Sequence, residues 1–181
     1  QVTIERETYP LERPFMVIAT QVETGGEGTY PLTDVQIDRF LLRLKSTYAS
    51  KEEEKQILAN IDRITEPDIH AVTSPDEIRA LQEAAKSVYV SPDIIEYTSL
   101  IINSVRHDPD VLWGPSVRAG IALYKGARVL AMLDGRDYVI PDDIKVLTMN
   151  AIEHRIRIKP EAEMDDITPN KVVTRALEKT P

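Results

Sequence analysis

The sequence predicts a mainly α-helical chain with a small β portion near its start. Three observations carry that reading. Helix-start signals recur from residue 74 onward: Ser74-Pro75-Asp76-Glu77, Ser91-Pro92-Asp93, Pro141-Asp142-Asp143 and Thr168-Pro169. From Val117 to Asp134 no proline interrupts, and Ala119, Ala122, Leu123, Gly126, Ala127, Leu130 and Leu133 return at helical spacing. Strand-like runs are confined to the first stretch of the chain, where Phe15-Met16-Val17-Ile18-Ala19 is continuously apolar.

Taken in order, Val2-Thr3-Ile4 and Thr8-Tyr9-Pro10-Leu11 flank Glu5-Arg6-Glu7 and read as a β-hairpin. Phe15–Ala19 reads as a strand buried on both faces, with Thr20-Gln21 at its carboxyl end, where open α/β sheets place ligands. Gly25-Gly26-Glu27-Gly28 is read as a flexible loop, because no Gly-Lys-Ser/Thr follows to reach phosphate and Mg²⁺. Thr33-Asp34 caps a short helix through Phe40, and Leu41-Leu42-Arg43-Leu44 is assigned to a strand. Lys51 to Ile64 is helical, with Glu52, Glu53 and Glu54 favouring its amino end; they form a solvated face, not a metal site. Ser74 to Ser87 opens with a capping box, and Ser91 starts a helix reaching Arg106.

His107-Asp108-Pro109-Asp110 is a turn whose two carboxylates are too few for a hard-cation site. Pro115 takes the first turn of the long helix, which Asp134-Gly135 ends. The small residues of its inner face let a neighbouring helix approach closely. Pro141 opens a helix to His154; Ile140 is a poor cap, so Asp142 and Asp143 must compensate through the helix dipole. Arg155-Ile156-Arg157-Ile158-Lys159 is a helix end followed by a strand-like exit. Asp165-Asp166 form an acidic linker, and Thr168-Pro169 cap a last helix to Glu178.

Composition narrows the function. With 30 acidic and 22 basic residues the 181-residue chain carries −8, which argues against a general nucleic-acid binder. There is no cysteine, so no disulfide or thiolate chemistry, as suits a reducing cytosol. No apolar run nears the ~20 residues of a membrane helix, and the first residues lack the pattern of a signal peptide. His70, His107 and His154 share no ligand spacing. Arg118 stands in the first turn of the long helix, at the positive end of the dipole, with Lys125 two turns on. Something must hold its guanidinium there; a bound anion is one candidate, and a plain surface arginine is the other.

Several blocks decide between these. Pro14–Gln21, Glu27–Leu32, Gln36-Ile37-Asp38-Arg39-Phe40, Gly114-Pro115-Ser116-Val117-Arg118-Ala119, Gly135–Ile144 and His154-Arg155-Ile156 follow one another in an order that resembles MoxR-type AAA+ ATPases. Each block is weak alone; together they cover nearly the whole chain. The resemblance implies a remnant of an AAA+ α/β core over 1–49, connecting helices over 50–90 and a helical lid bundle over 91–181. It implies that Arg118 is the lid arginine over the nucleotide (sensor 2), that Arg39 is the arginine finger, and that Gln21 stands where sensor 1 polarises the attacking water. Members usually carry Asn just after that Gln, whereas Val22 stands here, so Gln21 either takes over or the role is lost. A further strand belongs between the two core strands, and no segment of this chain supplies it, so an open sheet edge is expected.

Hydrolysis in this class needs a phosphate loop, a Mg²⁺-holding acid, a water-positioning group and arginines. The chain offers candidates for the last two alone. Val129–Asp134 mimics an apolar run before a Mg²⁺-binding acid, but it lies inside a helical pattern and lacks the following Glu. The resemblance therefore implies ATP and Mg²⁺ use, a homo-oligomeric ring and chaperone-like remodelling of a client protein for the complete cytoplasmic protein. This chain alone is expected neither to hydrolyse ATP nor to hold it tightly. The alternative is a helical interaction or adaptor module without nucleotide chemistry. A helix-turn-helix variant of it, using Arg155 to Lys159, is disfavoured by the acidic balance.

Overall fold

A computed structural model describes residues 1–21 and 32–180. Val22 and the glycine loop at 25–28 lie outside the described residues. In chain order the elements are β1 (Val2–Ile4), β2 (Glu7–Tyr9), α1 (Asp34–Ile37), α2 (Lys51–Ala59), α3 (Ile61–Thr65), α4 (Pro75–Ser87) and α5 (Pro92–Arg106). Then come β3 (Val111–Trp113), α6 (Val117–Leu133), α7 (Pro141–Ile152), a 3₁₀ turn at Glu153–Arg155, β4 (Arg157–Ile158), α8 (Pro160–Met164) and α9 (Pro169–Lys179). The mainly helical class with a small β portion is what the sequence predicts.

The chain divides into two compact units. One comprises Gln1–Phe15 and Leu44–Ala80. In it β1 pairs antiparallel with β2, Val2 opposite Tyr9. Glu5 and Arg6 both take positive φ, as a two-residue hairpin turn of the mirror-image type requires. Ser50 and Glu53 cap α2 reciprocally: the Ser50 N–H donates to Glu53 Oε2 at 2.7 Å, and the Glu53 N–H to Ser50 Oγ at 3.4 Å. Asn60 breaks the helix read over 51–64 into α2 and α3. No residue of this unit is buried.

The other unit comprises Met16–Arg43 and Leu81–Pro181 and holds the hydrophobic core. Helix α6 runs through it, with Ala119, Leu123, Ala127 and Ala131 fully inaccessible. The small-residue face does what the sequence predicts: a Cβ at Gly126 would lie 2.6 Å from Leu147 Cδ1 of α7. Helix α5 contributes Ile101 and Val105, and α9 contributes Val172 and Val173. Strand β3 pairs antiparallel with β4 through a bulge between Val111 and Trp113.

Several expectations are corrected. Phe15–Ala19 is not a strand; its first four side chains are exposed, and no described strand lies beside it to complete a ladder. Leu41–Leu44 is not a strand either. Its backbone is held by a helix: the Arg43 N–H donates to the Asn150 carbonyl at 2.9 Å, and Asn150 Nδ2 returns a bond to the Arg43 carbonyl at 2.9 Å. Helix α1 stops at Ile37, so Asp38, Arg39 and Phe40 form the turn after it. Pro115 precedes the long helix, and Ser116 is its cap. Leu133 is exposed and Ala131 faces the core instead. Asp143 rescues the poor cap at Ile140 by a hydrogen bond as well as by charge, accepting from its N–H at 2.9 Å. Strand β3 and helix α8 were not foreseen: both are short, and pairing and packing define them.

Candidate functional site

The Gly-Pro-Ser block is seated on α5. A Cβ at Gly114 would stand 3.1 Å from Arg106 Cα, so a larger residue would have to push the two backbones a few tenths of an ångström apart. Arg106 Nε donates to the Pro115 carbonyl at 2.9 Å. Ser116 then caps α6 with extended backbone, its Oγ accepting from the Arg118 N–H at 3.1 Å.

The same hydroxyl donates to the Asp38 carboxylate, 2.8 Å from Oδ1 and 2.9 Å from Oδ2. Asp38 thereby places a negative charge at the amino end of α6, where the helix dipole favours one. That carboxylate has two further partners. Arg155 Nε reaches Oδ1 at 3.1 Å, and Arg118 Nε lies 3.5 Å from Oδ2. The two arginines differ in setting: the Arg155 side chain is 2% exposed, that of Arg118 51%. The thing that holds Arg118 at the positive helix end is thus Asp38, which spacing could not reveal.

Arg155 also grips the turn that follows α1. Its Nη2 donates to the carbonyls of Asp38, at 3.1 Å, and Phe40; its Nη1 donates to those of Leu41, at 3.4 Å, and Ala151. Burial lowers the pKa of this guanidinium, and the Asp38 charge opposes that shift. His154 Nε2 lies 3.4 Å from the Phe40 carbonyl. Burial first, then the charge of Arg155, lower its pKa to about 4, so the ring is neutral near pH 7. On the outer side of α1, Arg157 Nε donates to Asp34 Oδ1 at 3.0 Å.

Arg39 therefore sits on a backbone clamped at both flanking residues, with its own side chain exposed. The local partners open to it, Asp34 and Asp38, are engaged by Arg157 and by Arg155 with Ser116. Among the described residues Arg39 has no ion-pair partner. Gln21 is exposed and outside any helix or strand, and no described contact joins it to Arg39 or Arg118. The structure thus brings the Arg39 segment and Arg118 together through Asp38. Sequence reading passed over Asp38 and Ser116 as partners, because 78 residues separate them. It also took Arg155 for part of a basic strip, where only burial distinguishes it.

The described residues contain no cluster of three His, Asp or Glu able to hold a metal. Asp108 and Asp110 are ion-paired to Arg175, at 3.0 Å and 2.7 Å. Site chemistry is accordingly that of cations: one exposed arginine on a shared carboxylate, and one exposed arginine on a fixed turn. Both fit a polyanionic ligand, and neither fits Mg²⁺.

Residues 104–176 match the AAA lid domain, and residues 1–42 match the ATPase family associated with various cellular activities (AAA). The uncharacterized protein YeaC of Bacillus subtilis is 38% identical, over 97% of this chain and 55% of its own length. Chaperone MoxR1 of Mycobacterium tuberculosis is 33% identical, over 98% of this chain and 49% of its own. The solved structure of a Cytophaga hutchinsonii protein assigned as an ATPase superposes with a TM-score of 0.88 at 31% identity, covering 99% of this chain and 58% of that one. The chain spans about half the length of the curated relatives it matches. A lid match and a core match in that order, with relatives that include a MoxR chaperone, place the chain in one family: it belongs to the MoxR-type AAA+ ATPases.

Proposed function

We propose that the complete protein is a ring-forming ATPase that couples ATP binding and hydrolysis to chaperone-like remodelling of a client protein, and that this chain supplies its arginines and its lid. The observation that carries the reading is the Asp38 cluster. It fixes the backbone of Arg39 to the unit that bears Arg118 while leaving both guanidinium groups exposed. In this reading residues 91–181 are the lid and 1–49 the end of the core. Arg118 contacts the nucleotide of its own subunit, Arg39 reaches the γ-phosphate bound by a neighbouring subunit, and Gln21 orients the attacking water.

Planar, permanently charged guanidinium groups suit phosphate oxygens whose charge grows in the transition state. In this reading Mg²⁺ and the phosphates are held by residues of the complete protein outside this chain, whose sequence carries no Gly-Lys-Ser/Thr loop. Among the described residues no helix is long and apolar enough to cross a membrane. The chaperone name of one relative supports the remodelling role; the ring is assigned to the cytoplasm, with no nucleic acid or membrane partner.

A mixing experiment tests the reading. In the complete protein Arg39→Ala is expected to keep nucleotide binding and lose roughly 10³-fold or more of turnover. Mixed with a subunit whose phosphate loop is disabled, it is expected to regain part of the activity, each subunit supplying what the other lacks. Full activity of Arg39→Ala by itself, or no recovery on mixing ring-competent subunits, overturns the trans assignment.

A further inference from the structure

We infer that Asp38 is a positioning residue that links the two arginines, holding Arg118 in reserve for a triphosphate and tying its release to the setting of Arg39. The inference rests on the nucleotide-facing reading of both arginines given above. Three donors from two parts of the chain converge on the one carboxylate: from the start of α6 the Ser116 hydroxyl at 2.8–2.9 Å and the Arg118 Nε at 3.5 Å, and from the turn after α7 the Arg155 Nε at 3.1 Å. They are not equivalent. Ser116 and buried Arg155 satisfy the carboxylate by themselves. Arg118 makes the longest contact and is the one half exposed to solvent.

Arg118 can therefore leave without stranding a buried charge. A triphosphate competes well for it, because it carries several charges on oxygens that match the guanidinium fork. Two guanidinium groups on one carboxylate also leave a surplus positive charge, which draws a polyanion in. The link to Arg39 is covalent and short. Asp38 precedes it, and the carbonyls on both sides of Arg39 are held by the same Arg155 that holds the Asp38 carboxylate. A change in what Asp38 holds is thus felt by the backbone that aims Arg39.

The test is a split between affinity and turnover in the complete protein, read with N-methylanthraniloyl-ATP binding and steady-state hydrolysis. Asp38→Asn keeps the size and an acceptor for Ser116 but drops the charge. It is expected to bind the nucleotide about threefold to tenfold more tightly, because Arg118 is free, and to turn over at least about tenfold more slowly, because Arg39 is no longer set. Asp38→Glu is expected to restore affinity toward wild type. In Asp38→Asn/Arg118→Ala the tightening is expected to vanish.

If Asp38→Asn weakens binding and turnover alike, with a lowered Tm, Asp38 is only structural and the inference is overturned. If Asp38→Asn binds as wild type does while Arg118→Ala binds weakly, the inference fails and the reading of Arg118 stands. If Arg118→Ala binds and turns over as wild type does, the reading of Arg118 itself fails. Should Asp38→Asn not fold, Asp38→Asn/Arg155→Met removes the buried cation with its counter-ion, and its nucleotide affinity alone then carries the test, since Arg155 also holds the backbone of Arg39: no tightening overturns the inference. Failure of both to fold makes Asp38 structural.

Discussion

The two units use the same helix-starting signals and end in opposite states. Around α2 and α4 the caps are complete: Ser50 with Glu53, and Ser74 with Glu77, each reciprocal. Yet Ile57, Leu58, Ile61 and Ile64 on α2 and α3 are all exposed. Around α6 and α7 the caps are poorer, with an isoleucine at one of them, and the helices are buried against each other. A cap contributes about 0.5–2 kcal/mol, whereas a fully buried aliphatic side chain contributes about 1.5–3 kcal/mol. Helices of five and nine residues cannot persist on caps alone. The comparison teaches that capping fixes where a helix begins and burial decides whether it lasts.

Hydrogen exchange puts the largest number on that difference. In the 181-residue chain the amides of α6 between Ala122 and Ala131 are expected to exchange only through global opening, about 10⁴-fold or more slower than an unstructured peptide. Those of α2 and α3 are expected to exchange within about tenfold of the peptide rate. Equal protection in the two helices would break the comparison, and would mean that another copy of the chain covers the exposed isoleucines.

The same contrast explains what was legible in the sequence. Helices α4 to α6 and α9 announced themselves because their caps and lengths agree, and α7 through Pro141 and its two aspartates in spite of the isoleucine cap. On α6 the 3.6 repeat picked out Ala119, Ala122, Leu123 and Ala127, but it took Leu133 for a core residue and passed over Ala131. Phe15–Ala19, a continuous apolar run, and Leu41–Leu44, apolar but for Arg43, misled because an apolar run has the pattern of a buried strand, while a strand also needs a neighbour the pattern cannot supply. At the site, Arg118 and Arg39 could be singled out from short motifs. Asp38 could not be given its partners, since Ser116 and Arg155 lie 78 and 117 residues away. Nor could the burial of Arg155 be read from a segment whose alternation marks Ile156 and Ile158 as the inward residues.

Ion pairs sharpen the comparison at the next scale. Arg175 reaches Asp108, whose side chain is 4% exposed, whereas Lys55 reaches Glu52 on the open face of α2. Arg175→Met is expected to destabilise the lid unit by about 2–4 kcal/mol in urea unfolding, because a buried carboxylate is left without its counter-charge. Lys55→Ala is expected to change stability by no more than about 0.5 kcal/mol. A small effect of Arg175→Met would show that solvent reaches Asp108 and that the turn at 107–110 is loosely held.

The smallest effect is a pH dependence confined to the buried unit. Burial, and then the Arg155 charge, hold His154 neutral against the opposing hydrogen bond to the Phe40 carbonyl, and its Nδ1 is buried with no partner among the described residues. Its pKa in the folded chain is about 4, against about 6.5 in the unfolded chain. Between those values the unfolded chain binds the extra proton, so stability rises with pH there. The contribution is complete above about pH 6.5, is lost as the pH falls toward 4, and changes no further below that. A shift of this size corresponds to about 3 kcal/mol at most, and solvent screening of the partly exposed ring reduces it. His154→Gln keeps a donor for the Phe40 carbonyl and has no proton to gain. It is expected to flatten the stability profile between pH 6.5 and 4 while leaving the carboxylate losses at lower pH in place. Since Phe40 adjoins Arg39, the loss in the wild-type chain is expected to begin with exchange at the amides of residues 38–41, ahead of the α6 core. A profile equally steep in His154→Gln would assign the acid sensitivity to the carboxylates instead, and simultaneous loss at α6 would make it global.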